Sequence, residues 1–255
     1  MMVSVRDIYK FLDSFAPFSS ADSWDNSGIL IGSQDSVSDT VLITLDVTDS
    51  AIDKAVELGA KIIISHHPVI FHPLSSVSSD SVVAKALLNG ISVISSHTCL
   101  DYASGGINDV LADTLSLSNI RGFDYDLSPL PLGRIGFLPS PMPKSDFIEF
   151  VKDRLSCPFV RAAGSVDSVF SVAVSGGSLA SSPLKAVSLG ADALISGDIK
   201  HDVFSSLPSS GILLIDAGHF YTENVIVPHL ASKLSSAFPF AHFFPFVSDA
   251  PFSFL

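Results

Sequence analysis

Histidine and carboxylate side chains recur where the apolar runs of this chain end. The side chains at these points are His66, His67, His97, Asp101, His219 and Glu223. If the apolar runs are strands of an open α/β sheet, ligands are expected just beyond their carboxyl ends. Imidazole together with carboxylate suits a divalent transition metal. The pattern therefore predicts a metal site at the edge of a sheet.

The adjacent histidines 66 and 67 carry a prediction of their own. If the strand continues through them, the two imidazoles point to opposite sides, and Pro68 disfavours a helical conformation at His67. Diverging imidazoles suit two ions about 3.5–4 Å apart better than one ion. Asp101 and Glu223 are the candidates for a carboxylate that bridges such ions. Zinc, iron and manganese all accept these ligands, and the residues do not choose among them.

Apolar runs alternate with helical patterns along the chain, which is typical of βαβ units and a largely parallel sheet. The predicted strands are 41–45, 61–65, 91–95, 132–138, 169–174, 193–196 and 212–216. The predicted helices are 50–58, 81–88, 144–155, 183–189 and one from about Thr222. The fold class is therefore predicted to be α/β.

The second half of the chain repeats the first. Residues 55–65 (AVELGAKIIIS) align with residues 186–196 (AVSLGADALIS), and in each half a later histidine is followed four residues on by a carboxylate. Two matches in the same order favour an internal duplication. We predict two similar α/β lobes, 1–120 and 132–255, joined by a linker at 121–131. The second lobe can be intertwined with the first.

The amino-acid composition excludes some structural classes and disfavours some classes of binding partner. The chain has 255 residues, 47% of them hydrophobic, and a formal net charge of −12. Such an apolar chain is not disordered, and its acidity makes nucleic acid an unfavoured partner. Two cysteines form no disulfide framework, and no apolar run is long enough to cross a membrane. The helical N-terminal pattern is not a secretory signal. We expect a soluble cytoplasmic protein with no membrane partner.

Two further motifs have open roles. Trp24–Gly28 (WDNSG) contains the only tryptophan and is typical of a turn that enters a short strand. Ser175–Ser178 (SGGS) follows a predicted strand and could cradle an anion, although it lacks the spacing of a phosphate-binding loop.

Taken together and in order, five motifs resemble the Nif-three-like dinuclear metal-centre family. They are Trp24–Gly28, Ser65–Phe71, His97–Asp101, Ser196–His201 and Asp216–Glu223. The resemblance extends from about residue 5 to residue 235. It implies a Nif-three-like fold of two similar α/β lobes with the metals between them. It also implies a toroidal homohexamer whose sites face an inner cavity, in the form without an inserted middle domain.

The resemblance also assigns residues. The implied metal ligands are His66, His67, Asp101, His219 and Glu223, with Glu223 bridging two divalent ions. His97 is implied to lie in the same pocket, either behind the ligands or as a catalytic group, and Asp198 and His201 are implied to line that pocket from the second lobe. Cys99 stands where the family usually has asparagine, so a thiol could perturb the pocket or invite oxidation.

The leading functional prediction is a metal-dependent hydrolase that resembles GTP cyclohydrolase I type 2. In this hypothesis the ions activate a water, His97 shuttles a proton, and the substrate is a small molecule such as a nucleotide. The alternative is a noncatalytic metal-binding scaffold or regulator that acts through protein partners. Single-stranded nucleic acid threading a ring fits poorly with the net charge of −12.

Overall fold

The computed structural model describes residues 1–126, 128–179, 183–247 and 250. These residues divide into two compact units. Unit 1 comprises Met1–Ser104 together with 226–247, and unit 2 comprises Gly105–Val225.

Short strands and helices alternate along most of the chain. The strands are β1 (Val3–Ser4), β2 (Gly28–Ile31), β3 (Val37–Ser38), β4 (Thr40–Thr44), β5 (Ile62–Ser65), β6 (Ser92–Ser95), β7 (Ser118–Phe123), β8 (Gly133–Pro143), β9 (Arg161–Ala163), β10 (Ser168–Ser178), β11 (Ala193–Gly197), β12 (Leu213–Asp216) and β13 (His242–Pro245). The helices are α1 (Val5–Phe15), α2 (Asp49–Glu57), α3 (Val82–Leu88), α4 (Thr98–Tyr102), α5 (Ile107–Thr114), α6 (Lys144–Leu155), α7 (Pro183–Ser188), α8 (His201–Ser206), α9 (His219–Glu223) and α10 (Ile226–Ala237). The mixed pattern confirms the predicted α/β class.

The main sheet of unit 1 has the strand order β13-β4-β5-β6-β2. Strands β13, β4, β5 and β6 are parallel, and β2 pairs antiparallel at the edge. The three isoleucines of β5 are fully buried, as expected for a parallel strand covered on both faces. Thr44 lies opposite Ser65, and Ser65 lies opposite Ser95. The residues that follow β4, β5 and β6 therefore lie side by side at one edge of the sheet.

The main sheet of unit 2 has the strand order β7-β8-β10-β11-β12-β9. Strands β10, β11 and β12 are parallel, with β8 and β9 antiparallel on either side of them. Ser196 at the end of β11 lies opposite Asp216 at the end of β12. The residues that follow these two strands are therefore also brought to a common edge.

The same order of elements occurs in both units. A helix, an antiparallel edge strand and three parallel strands appear as α1-β2-β4-β5-β6 in unit 1 and as α6-β9-β10-β11-β12 in unit 2. Each set ends in a short helix that carries a histidine or carboxylate, α4 in the first and α9 in the second. This shared topology is what an internal duplication produces.

Each repeat is followed by a helix that packs in the unit built mainly from the other repeat. Helix α5 follows the first repeat but packs on β8 and β10 of unit 2, whereas α10 follows the second repeat but packs on β4 and β13 of unit 1. The units therefore differ from the predicted boundaries at 120 and 132. The predicted linker 121–131 also begins inside β7, which pairs with β8. The reason is that α10 needs unit 1 to bury its apolar face, at Ile226, Val227, Leu230 and Leu234.

Within the described residues, no helix combines the length and the apolar composition that crossing a bilayer requires.

Replacing Leu234 with alanine tests whether α10 stabilises unit 1. Leu234 is fully buried, so the truncation should cost about 2–5 kcal/mol of unfolding free energy. We expect faster amide hydrogen exchange in β4 and β13, measured by mass spectrometry, with β10 and β11 little changed. Ser232→Ala, at an exposed position of the same helix, is the matched control. Faster exchange confined to β10 and β11 would contradict the assignment.

Candidate metal centre

His66 and His67 lie in a bend that follows β5 directly. The Ser65 hydroxyl donates a hydrogen bond to the carbonyl oxygen of His67 at 2.8 Å, which closes the bend. The two imidazole centroids are only 4.8 Å apart. The prediction that these rings point to opposite sides is therefore wrong, because the strand and its alternation of side chains end at Ser65. The argument for two ions from diverging imidazoles fails with it.

Three histidines of unit 1 come together at this edge. Ligand atoms of His66, His67 and His97 all lie within 4.8 Å of one another. A carboxylate is close to them, since His66 Nε2 lies 3.8 Å from Asp101 Oδ1. Asp101 sits on α4, which begins immediately after His97. Neutral imidazoles with a carboxylate are a donor set that can hold a divalent transition metal.

The Nδ1 atom of each of these imidazoles faces an oxygen. The pairs are His66 Nδ1 with the Ser96 carbonyl oxygen at 2.9 Å, His67 Nδ1 with Asp46 Oδ1 at 2.7 Å, and His97 Nδ1 with Asp25 Oδ1 at 2.8 Å. A carbonyl or an ionised carboxylate can only accept a hydrogen bond. Each Nδ1 therefore carries the proton, and each Nε2 keeps the lone pair that a metal or a proton requires.

The Trp24–Gly28 motif gains a role through Asp25. The buried carboxylate of Asp25 accepts hydrogen bonds from the Ser27 hydroxyl at 2.8 Å and from the Thr98 hydroxyl at 2.7 Å, besides that from His97. Burial alone would raise the pKa of Asp25, but hydrogen bonds from His97 and Thr98 outweigh it and hold the pKa well below its usual range. Asp25 therefore stays ionised and fixes the His97 ring. Sequence reasoning missed this role, since the two residues are distant in the chain.

Unit 2 presents a second set of candidate ligands on α9. His219 and Glu223 are one helical turn apart, with His219 Nε2 at 2.9 Å from Glu223 Oε2. His219 Nδ1 lies 2.8 Å from Asp198 Oδ2, so both nitrogens of this imidazole face a carboxylate. Asp198 adopts a left-handed backbone with φ of 48°. Such a conformation costs a non-glycine residue on the order of 1 kcal/mol and here aims its carboxylate at His219.

The glycine pair of the SGGS motif makes room for these side chains. A Cβ added at Gly177, where φ is +66°, would lie 2.1 Å from Glu223 Oε1 and 3.4 Å from His219 Nε2. The amide of Gly176 donates to Asn108 Oδ1 at 2.7 Å, and that of Gly177 to Thr222 Oγ1 at 3.0 Å. The interpretation as an anion cradle is therefore not supported, because side chains of the protein already use both amides.

Two other residues singled out in the sequence have local roles. His201 is exposed at the start of α8, and its Nε2 lies 3.3 Å from the Ser205 hydroxyl of the same helix. Cys99 is fully buried, with its Sγ 3.3 Å from the Ser96 hydroxyl. Burial raises the pKa of the Cys99 thiol, which lowers the thiolate fraction that oxidation requires.

Comparison with known proteins bears on this arrangement. The family model described as Duf34/NIF3 (NGG1p interacting factor 3) matches residues 3–250. The GTP cyclohydrolase 1 type 2 homolog of Clostridium acetobutylicum is 32% identical over 251 residues, which cover 93% of this chain and 91% of that protein. NIF3-like protein 1 of Drosophila melanogaster is 34% identical and covers 89% of this chain and 82% of its own.

A solved structure shares the fold over the same length. A hypothetical protein of Staphylococcus aureus superposes with a TM-score of 0.90 at 29% identity, covering 99% of both chains. The family resemblance carried by the five motifs is thereby confirmed over nearly the whole sequence. The chain belongs to the Duf34/NIF3 family.

Proposed function

We propose that this chain is a hydrolase that depends on two divalent ions of zinc, iron or manganese. The observation that carries the proposal is shared by four imidazoles, those of His66, His67, His97 and His219. An oxygen lies at Nδ1 of each ring. In His66, His67 and His97 it fixes the tautomer and leaves Nε2 as the basic nitrogen, whereas Nε2 of His219 faces the Glu223 carboxylate. Histidine ligands in metalloproteins are oriented in this way, by a carboxylate or carbonyl behind the ring.

The proposed ligands are those that the family resemblance assigns. They are His66, His67 and Asp101 from unit 1 and His219 and Glu223 from unit 2. The family resemblance implies two ions, and in this proposal Glu223 would be shared between them. Glu223 is 4% exposed, and its Oε2 lies 2.9 Å from His219 Nε2.

His97 is proposed to carry a proton. When bound, the ions supply Lewis-acid activation of water near neutral pH. Asp25 stays ionised, holds the His97 ring through Nδ1, and stabilises the ring when Nε2 takes up a proton. The same Nε2 can then deliver that proton to a leaving group. The Asp25–His97 pair therefore has the composition and geometry of a general acid–base.

The substrate is proposed to be a small molecule, with a purine nucleotide as the first candidate. The support is the name of relatives such as that from Clostridium acetobutylicum, a homolog of GTP cyclohydrolase 1 type 2. Divalent ions would also offset the net charge of −12 locally. An anionic substrate is therefore compatible with this acidic chain.

Crowding Glu223 tests the ligand assignment. Gly177→Ala should lower the number of ions bound per chain, because the new Cβ would overlap Glu223 Oε1. The measurement is mass-spectrometric metal analysis after reconstitution. Gly190→Ala is a matched control, since φ there is +76° and nothing lies within 4 Å of the added Cβ. Both substitutions strain a left-handed backbone, so equal metal content in the two variants would refute the assignment.

Turnover of GTP, other nucleotides and phosphoesters by the metal-loaded protein tests the hydrolase proposal. His97→Gln and Asp25→Asn should each lower kcat, the former by about 10²–10⁴-fold, with metal content unchanged. His242→Gln, at an exposed position of β13, should be as active as the unaltered protein.

The outcomes of this screen separate the alternatives. His67→Ala should lose both metal and turnover, and activity that survives in it would reveal a contaminating enzyme. Loss of metal in His97→Gln would make His97 a ligand instead of a proton carrier. Absence of turnover with every substrate would contradict the hydrolase and favour the noncatalytic scaffold or regulator.

A further inference from the structure

Two large aromatic side chains are exposed beside the histidines of unit 1. Trp24 is 57% exposed and Phe71 is 39% exposed. Their ring centroids are 5.8 Å apart with a tilt of 35° between the planes. Each ring also meets the His97 imidazole edge-on, at 5.9 Å for Trp24 and 6.1 Å for Phe71. We call Trp24 and Phe71 the aromatic pair.

The backbone beneath the aromatic pair is fixed. Next to Trp24, the Asp25 carboxylate accepts hydrogen bonds from His97 and Thr98. Asn26 Nδ2 donates to the carbonyl oxygen of Ile70 at 2.5 Å, which ties the turn that carries Trp24 to the loop that carries Phe71. Both rings are thus presented by segments that hydrogen bonds join to each other. Exposure of the aromatic pair is therefore a property of the ordered structure.

Fixed, half-exposed aromatic rings favour a planar ligand. A ligand base stacked on an aromatic side chain gains roughly 1–3 kcal/mol, and preorganised rings lose little entropy when they bind it. The His97 imidazole is adjacent to both rings, and an imidazole can exchange a proton or a hydrogen bond with a ring nitrogen or a carbonyl of the ligand.

We propose that Trp24 and Phe71 stack a planar heteroaromatic ring of the substrate and place it beside His97. The proposal deepens the proposed function, on which it rests for the role of His97. It assigns the substrate class as compounds with a purine-like, pyrimidine-like or pteridine-like ring. It also gives Trp24 and Phe71 the role of binding residues that determine this specificity.

Intrinsic fluorescence provides the test because Trp24 is the only tryptophan of the chain. Guanosine should quench Trp24 emission saturably in the full chain, and ribose, which lacks the planar ring, should not. Phe71→Leu should weaken guanosine binding about tenfold. Phe170→Leu is the matched control, since Phe170 is equally exposed at 39% but lies in unit 2. Calorimetry of Trp24→Leu, which has lost the fluorophore, should show a similar weakening.

Three outcomes would overturn the inference. The first is quenching by guanosine that does not saturate, and the second is equal guanosine affinity in Phe71→Leu and Phe170→Leu. The third is shielding of Trp24 from acrylamide in the ligand-free protein, which would show that another copy of the chain covers it. Repeating the titration with a chelator separates this inference from the metal proposal, since stacking requires no ion. Saturable guanosine quenching in chelated protein supports the aromatic site even where metal analysis contradicts the metal centre.

Discussion

An oxygen behind each imidazole is the interaction on which the rest of this site depends. Without it, a neutral histidine divides its proton between two nitrogens and its ring rotates. With the Ser96 carbonyl, Asp46 and Asp25 in place, the rings of His66, His67 and His97 each have one tautomer and one orientation. Asp198 orients the His219 ring in the same way. Those oxygens in turn need fixed backbone around them, which the ends of the parallel strands and the Trp24–Gly28 turn provide. The folded chain thus orders the oxygens behind the imidazoles by itself.

The repeated topology explains why candidate ligands appear in both units. In each unit, a histidine or carboxylate follows adjacent parallel strands and a short helix carries another, as α4 does with Asp101 and α9 with Glu223. The two sets have nevertheless diverged. Unit 1 offers three imidazoles, whereas unit 2 offers the His219–Glu223 pair and a glycine, Gly177, that leaves space for the carboxylate. Exchange of the terminal helices α5 and α10 makes each unit depend on a segment from the other repeat.

Much of the fold could be predicted from local patterns. Helix α6 occupies the predicted range Lys144–Leu155, and β5 and β6 differ from the predicted strands by one residue. These elements are long or strongly apolar, so periodicity alone defines them. The placement of α10 in unit 1 was beyond such reasoning, because an amphipathic helix shows which face it buries and not what covers that face.

The candidate site was likewise predictable from the sequence only in part. The histidines and carboxylates at strand ends were visible in the sequence, because the carboxyl end of a strand is a general place for ligands. The Asp25–His97 pair joins residues that only the folded chain brings together, and the bend at His66 and His67 depends on a hydrogen bond from Ser65. A rule for extended strands therefore gave the wrong directions for those two rings. The role of Gly177 likewise depends on Glu223, which follows it far along the chain.

The central claim is that this chain holds two divalent ions on imidazoles oriented from behind. Equilibrium dialysis of metal-free protein against zinc, with the bound metal counted per chain, tests it most directly. The account predicts saturation at two ions per chain, with release of both when Glu223 is replaced by glutamine. A protein that binds no zinc, or zinc uptake that rises with concentration without reaching a plateau, would contradict it.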